Sequence, residues 1–91
     1  MRVRWTPAAA DDLEEIYGYL ERHFPSLAEQ TISELYEKIR SLKLFPFQGR
    51  PGMRPGTREL VIPGLPYLAV YRVAGQTIHV LHIRHGARRP Q

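Results

Sequence analysis

The chain has 91 residues, is 43% hydrophobic and 24% charged, and contains no cysteine, which suits one domain with a single core and is too apolar for disorder. No apolar run approaches the roughly 20 residues of a membrane-spanning helix, and the segment MRVRWTPAAADD lacks a signal-peptide apolar region. The absence of cysteine excludes a disulfide framework and thiolate metal sites, so a cytoplasmic protein of one domain, residues 1–91, is expected.

The net charge of +4 is unevenly divided. Residues 1–40 carry eight acids against five bases, whereas residues 41–91 carry one acid, Glu59, against eight bases, seven of them Arg. The planar fork of Arg suits phosphate better than the point charge of Lys, so one reading is an acidic scaffold with a polyanion-contacting half. The plainer reading is a soluble basic surface.

Taken in order, Met1–Trp5 alternates apolar and basic residues and predicts a short strand with one buried face. Thr6 and Pro7 supply an N-cap and the proline favoured at the first helical position. Asp11, Asp12, Glu14 and Glu15 follow in the first turns, where negative charge suits the helix dipole. Leu13, Ile16, Tyr17, Leu20 and Phe24 recur at helical spacing, so a first helix extends to about His23 and stops at Pro25. Ser26-Leu27-Ala28-Glu29 has the form of a capping box opening a second helix, with Ala28, Ile32, Leu35, Ile39 and Leu42 as its apolar stripe. The short break makes the two helices an antiparallel hairpin.

Residues 45–56, with three prolines, three glycines, Arg50 and Arg54, predict a loop. Thr57–Ile62, Tyr67–Val73 and Thr77–His85 predict three strands, with turns at Pro63-Gly64 and Ala74-Gly75. The expected class is therefore α+β, ordered β-α-α-β-β-β, with the helical hairpin on one face of a four-stranded antiparallel sheet.

Strand alternation sorts the side chains. Leu60, Ile62, Leu68, Val70, Leu81 and Ile83 form an apolar set expected under the helices, opposite Glu59, Val61, Tyr67, Ala69, Tyr71, His82 and Arg84. An acid, two phenols, an imidazole and a guanidinium on one open face could support phosphate chemistry or make ordinary cross-strand pairs. His79, His82 and His85 do not converge on one ion, because on a regular strand His82 points away from the other two; no metal is expected. No Gly-rich phosphate loop, GxSxG elbow or HExxH motif is present. The serines at 26, 33 and 41 lie on the hairpin, away from the basic half.

An ordered set of segments carries a family resemblance. Pro55-Gly56-Thr57-Arg58-Glu59-Leu60, then Pro66-Tyr67-Leu68-Ala69-Val70-Tyr71-Arg72-Val73, then Val80-Leu81-His82-Ile83-Arg84-His85-Gly86-Ala87-Arg88 resemble the RelE/ParE toxin superfamily. Trp5, Ala10-Asp11-Asp12-Leu13, Ile16, Phe45-Pro46 and Gly49-Arg50 match more loosely and in the same order. The resemblance implies the toxin of a type II toxin–antitoxin module, needing no cofactor and bound by a cognate antitoxin in a heteromeric complex. RelE-like members cut messenger RNA on the ribosome without a metal, whereas ParE-like members inhibit DNA gyrase and carry no nuclease site.

Cleavage is the leading expectation; gyrase inhibition and a non-toxic interaction module of the same fold stand as alternatives. Cleavage would use the RNA 2′-hydroxyl as nucleophile, with groups to move protons and cations to hold the phosphate charge. The resemblance matches Arg58 to a phosphate-contacting arginine and Arg84 and His85 to the basic and imidazole positions. In cleavage Arg58 and Arg84 would hold the phosphate, His85 or His82 would move a proton, and Tyr71 would stack on a base, donate its phenolic proton or simply pack. Arg50, Arg54 and Arg88 are the implied RNA contacts. The loop offers Arg50 and Arg54 where nuclease members often carry a Glu or Lys cluster, and arginine is a poor general base. Strict alternation also puts Arg58 with Leu60 and His85 with Ile83, both away from Arg84, unless a bulge intervenes.

Overall fold

A computed structural model of the chain describes residues 1–86. Strand β1 (Arg2–Trp5) leads into helices α1 (Pro7–His23) and α2 (Pro25–Arg40), a 3₁₀ turn (Ser41–Lys43), and strands β2 (Arg50–Pro51), β3 (Arg58–Val61), β4 (Tyr67–Ala74) and β5 (Thr77–His85). The α+β class and the helical hairpin are as the residue pattern predicts, but the sheet is not four-stranded or wholly antiparallel. Among the described residues it has five strands in the order β1-β5-β4-β3-β2, with β1 parallel to β5 and every other pair antiparallel.

The cause is β2. This two-residue strand, hidden in the proline- and glycine-rich segment, pairs with β3 and inserts one extra reversal, so β3 to β5 all run opposite to the predicted directions. A proline is compatible with it because β2 is the sheet edge, where no partner needs its missing N–H.

Thr6 caps α1, its Oγ1 accepting from Ala9 N at 3.1 Å. Helix α2 begins one residue before the predicted capping box. Pro25 occupies its first turn, Phe24 is the cap residue without a side-chain hydrogen bond, and Ser26 lies inside the helix. Pro25 thus opens the second helix as it ends the first. Phe24, placed by periodicity on the inner stripe, is half-exposed at the hairpin tip.

The core lies between hairpin and sheet. Leu35, Ile39 and Leu42 from the helical side meet Leu60, Ile62, Ile78 and Val80 from the strands, all buried. Each such side chain contributes about 1.5–3 kcal/mol by leaving water. On β4 the predicted faces are exchanged: Tyr67, Ala69 and Tyr71 join this core, while Leu68 and Val70 face the opposite side. Ala69 makes room for the helices, and the phenol of Tyr71 reaches polar partners at the core margin.

Strand β5 changes parity through a bulge. Val70 pairs with His82 and Tyr71 with Val80, leaving Leu81 as the extra residue. Leu81 therefore lines the open face beside His82, rather than packing under the helices as predicted.

Candidate interaction surface

The open face is a groove of about 1120 Å³ whose floor includes Leu68, Val70 and Leu81. Register fixes what lies across it. One row runs Arg50, Glu59, Val70, His82, and the next runs Val61, Leu68, Arg84. Glu59, His82 and Arg84 are therefore on this face as predicted.

An ion pair and an imidazole–carboxylate contact occupy the two ends of the first row. Glu59, only 7% exposed, receives Arg50 Nε at 3.1 Å and Nη2 at 3.0 Å on one carboxylate oxygen. At the other end, His82 Nδ1 lies 3.3 Å from Asp12 Oδ2. Arg54 and Arg84, both exposed and lining the groove, make no ion pair among the described residues.

Asp12 was predicted only as a helix-dipole charge, yet its structural role lies in the sheet. Beyond Trp5 the chain leaves β1 for α1, and the outer backbone groups of β5 lose their strand partner. Thr6 Oγ1 donates to Leu81 O at 3.1 Å, and Ile83 N donates to Asp12 Oδ2 at 2.9 Å. These two side chains extend the ladder where backbone would otherwise be unsatisfied. The partners are 75 and 71 residues apart in sequence, so no local signal marks them.

The remaining predicted site residues lie elsewhere. Tyr71 is fully buried on the helix side, where its hydroxyl donates to Pro46 O at 2.8 Å and accepts from Gly49 N at 2.9 Å. It therefore does not share the open face with His82 and Arg84, correcting the predicted constellation. Burial pushes its phenol pKa up, opposed by the Gly49 hydrogen bond and the nearby Arg58 charge. Arg58 pairs with Tyr71 on the same side and donates through Nη1 to Gly49 O at 2.8 Å and Phe47 O at 3.3 Å. Its guanidinium also sits 5.0 Å from the centre of the Phe47 ring.

His85 is exposed at the groove's end, edge-on to Tyr67 at 5.7 Å. Burial also raises the Tyr67 pKa, with a smaller contribution from Tyr19. Strict alternation therefore places Arg58 correctly: Arg58 pairs with Tyr71 on the helix side and Arg84 with Leu68 on the open face, and the Leu81 bulge between their rows does not unite Arg58, Arg84 and His85. Arg88 lies outside the described residues.

Tyr71 and Arg58 together hold the segment from Leu44 to Gly49, a role the sequence reading missed. Gly49 is required there, because a Cβ would lie 2.7 Å from the Tyr71 ring and 2.9 Å from Glu59 O. The only sequence signal was a dense apolar run, Leu44-Phe45-Pro46-Phe47, in a segment otherwise marked as loop.

Comparison with known proteins gives a consistent result. The family model described as the ParE toxin of type II toxin-antitoxin system, parDE, matches residues 3–90. The chain is 34% identical over 84 residues to the Y4kP protein of Sinorhizobium fredii, covering 92% of this chain and 86% of that one. It is 33% identical over 87 residues to the toxin RelE2 of Caulobacter vibrioides, covering 96% and 97% of the two chains. Among solved structures, a chain of the chromosomal ParDE TA system from P. aeruginosa superposes with a TM-score of 0.86 at 32% identity, covering 93% of this chain and 95% of that one.

Proposed function

The chain belongs to the ParE toxin family of type II toxin–antitoxin systems, and from that premise we propose that it arrests growth by binding DNA gyrase rather than by cutting message. The observation that carries this reading is that two of the groups cleavage would use, Arg58 and Tyr71, are committed to the helix-side loop, apart from the groove that His82, Arg84 and His85 line. Phosphoryl transfer needs its cations and proton carriers around one phosphorus atom. Here the imidazole of His82 is turned to Asp12, and the Glu59 carboxylate is bound by Arg50.

An inhibitor that acts by binding has no such requirement. It needs only an exposed, shaped surface, and the ParE family match and the ParDE superposition favour that class. The groove then has a separate role as the antitoxin's seat. Its apolar floor, with Arg54 and Arg84 beside it, suits a segment of alternating apolar and acidic residues that folds on binding. Among the described residues no helix is long and apolar enough to cross a membrane, and a gyrase-directed toxin would act in the cytoplasm.

The test is made in cells. Induced expression of the chain should stop growth and relax a reporter plasmid while messages stay full length. Growth arrest with intact supercoiling and fragmented message would replace this reading with ribosome-dependent cleavage. Normal growth at full soluble expression would remove the toxin activity altogether.

A further inference from the structure

The segment between the 3₁₀ turn and β2 combines two properties that ordinary loops do not share. It is held by the core, and it displays large apolar side chains. Leu44 is 79% exposed, Phe45 63% and Phe47 59%. Its backbone is tied down at four places: Pro46 O and Gly49 N to the Tyr71 hydroxyl, and Phe47 O and Gly49 O to the Arg58 guanidinium. Gln48 adds bonds to Ser41 Oγ at 2.9 Å and Phe45 O at 3.2 Å. The side chains of Leu44 and Phe45 take no part in this scaffold.

Exposed aromatic and aliphatic side chains on a fixed backbone have already lost the freedom that binding would otherwise remove, which is the property of a preorganised contact. The surroundings are basic. Arg40 and Lys43 precede the loop and Arg58 stacks on Phe47. Glu37 offsets part of this charge through its contact with Arg40 at 3.6 Å. The loop holds its apolar side chains out to solvent on the side of the sheet where Tyr71 lies, whereas the antitoxin seat proposed above is a groove on the opposite side. A groove receives an extended or helical segment. A rigid projection fits a cleft on a folded surface.

We propose that the Leu44–Phe47 loop is the surface that docks on the target, its side chains entering an apolar cleft rimmed by carboxylates on DNA gyrase. The inference rests on the gyrase reading above and adds to it where contact is made. Leu44 and Phe45 anchor the contact, and Arg40 and Lys43 steer the approach and fix orientation. Tyr71 and Arg58 act from beneath by holding the loop in one shape.

The experiment uses the full chain with purified gyrase and relaxed plasmid. A Leu44→Ser, Phe45→Ser double variant leaves every scaffold hydrogen bond in place and should keep the wild-type melting temperature. It should require about tenfold or more protein for half-inhibition of supercoiling, as expected when central apolar anchors are removed. An Arg40→Glu, Lys43→Glu variant should weaken inhibition most at low salt, where steering is strongest. Binding of the purified protein of the adjacent reading frame, and with it rescue wherever growth is still arrested, should be unchanged for both. Inhibition by L44S/F45S at wild-type concentrations overturns the proposal while leaving the gyrase reading intact. Loss of rescue with inhibition unchanged makes the loop the antitoxin's seat, which also overturns it. A wild-type chain that does not inhibit gyrase fails the underlying reading, and the docking assignment falls with it.

Discussion

Replacing Tyr71 by Phe removes one oxygen atom and tests whether the Leu44–Gly49 loop is held from the core. The hydroxyl donates to Pro46 O and accepts from Gly49 N. Gly49 is buried and Pro46 half-buried, so the lost partners are not equivalent. The Gly49 N–H is left in a dry site, which costs about 1–3 kcal/mol, whereas the Pro46 carbonyl can turn to water for a smaller loss of about 0.5–1 kcal/mol. The sum is about 1.5–4 kcal/mol, with no large cavity term since the ring still fills its place. In a chain of this size that corresponds to a melting temperature lowered by about 6–32 °C.

Urea titration of both proteins gives the free energy. Amide exchange at Gly49 reports whether the loss is local, and should accelerate more than exchange at Val80 in the sheet. A Tyr71→Phe protein within about 0.5 kcal/mol of wild type, with Gly49 exchange unchanged, would refute the claim that the phenol fixes the loop.

Three further outcomes follow from other contacts. Asp12→Ala should destabilise the chain by about 1–3 kcal/mol because it strands the Ile83 amide, whereas His82→Ala should cost less than half as much, a ranking that paired urea titrations check. Burial raises the Tyr67 and Tyr71 pKa values, so both phenols stay protonated in the fold after those of the unfolded chain begin to ionise; stability should be complete below about pH 10 and fall as pH rises through the folded-state values. Melting curves at pH 8, 10 and 11 test this, and a stability that rises over that interval contradicts it. Antitoxin affinity should weaken as salt is raised, given Arg54 and Arg84 at the groove, and titration calorimetry giving one affinity at low and high salt excludes a steered interface.

Much of the fold was legible because its signals are local. The Thr6-Pro7 start and the spacing of Leu13, Ile16 and Leu20 specify α1, and Ala28, Leu35, Ile39 and Leu42 specify the inner stripe that continues from α2. Direction and facing were less legible, because each depends on a single residue or pair. Arg50-Pro51 is too short to carry an alternating pattern, yet its pairing reverses every later strand. The extra Leu81 turns one face of β5 over midway, and an aliphatic-inside assumption misplaced the β4 tyrosines.

At the candidate site, alternation anticipated that Arg58 and Arg84 face apart. It could not reveal that Arg58 serves a loop carbonyl, or that Asp12 completes a strand 71 residues away. Both are contacts between a side chain and distant backbone, for which sequence spacing has no counterpart.

The central claim, inhibition by binding without nuclease chemistry, is tested most directly by running two assays on one preparation of the purified wild-type chain. The first measures gyrase-catalysed supercoiling of relaxed plasmid, and the second follows a labelled message in a translating extract. The account predicts that supercoiling is blocked at concentrations that leave the message intact. Message cut within the ribosome while gyrase keeps supercoiling would contradict it.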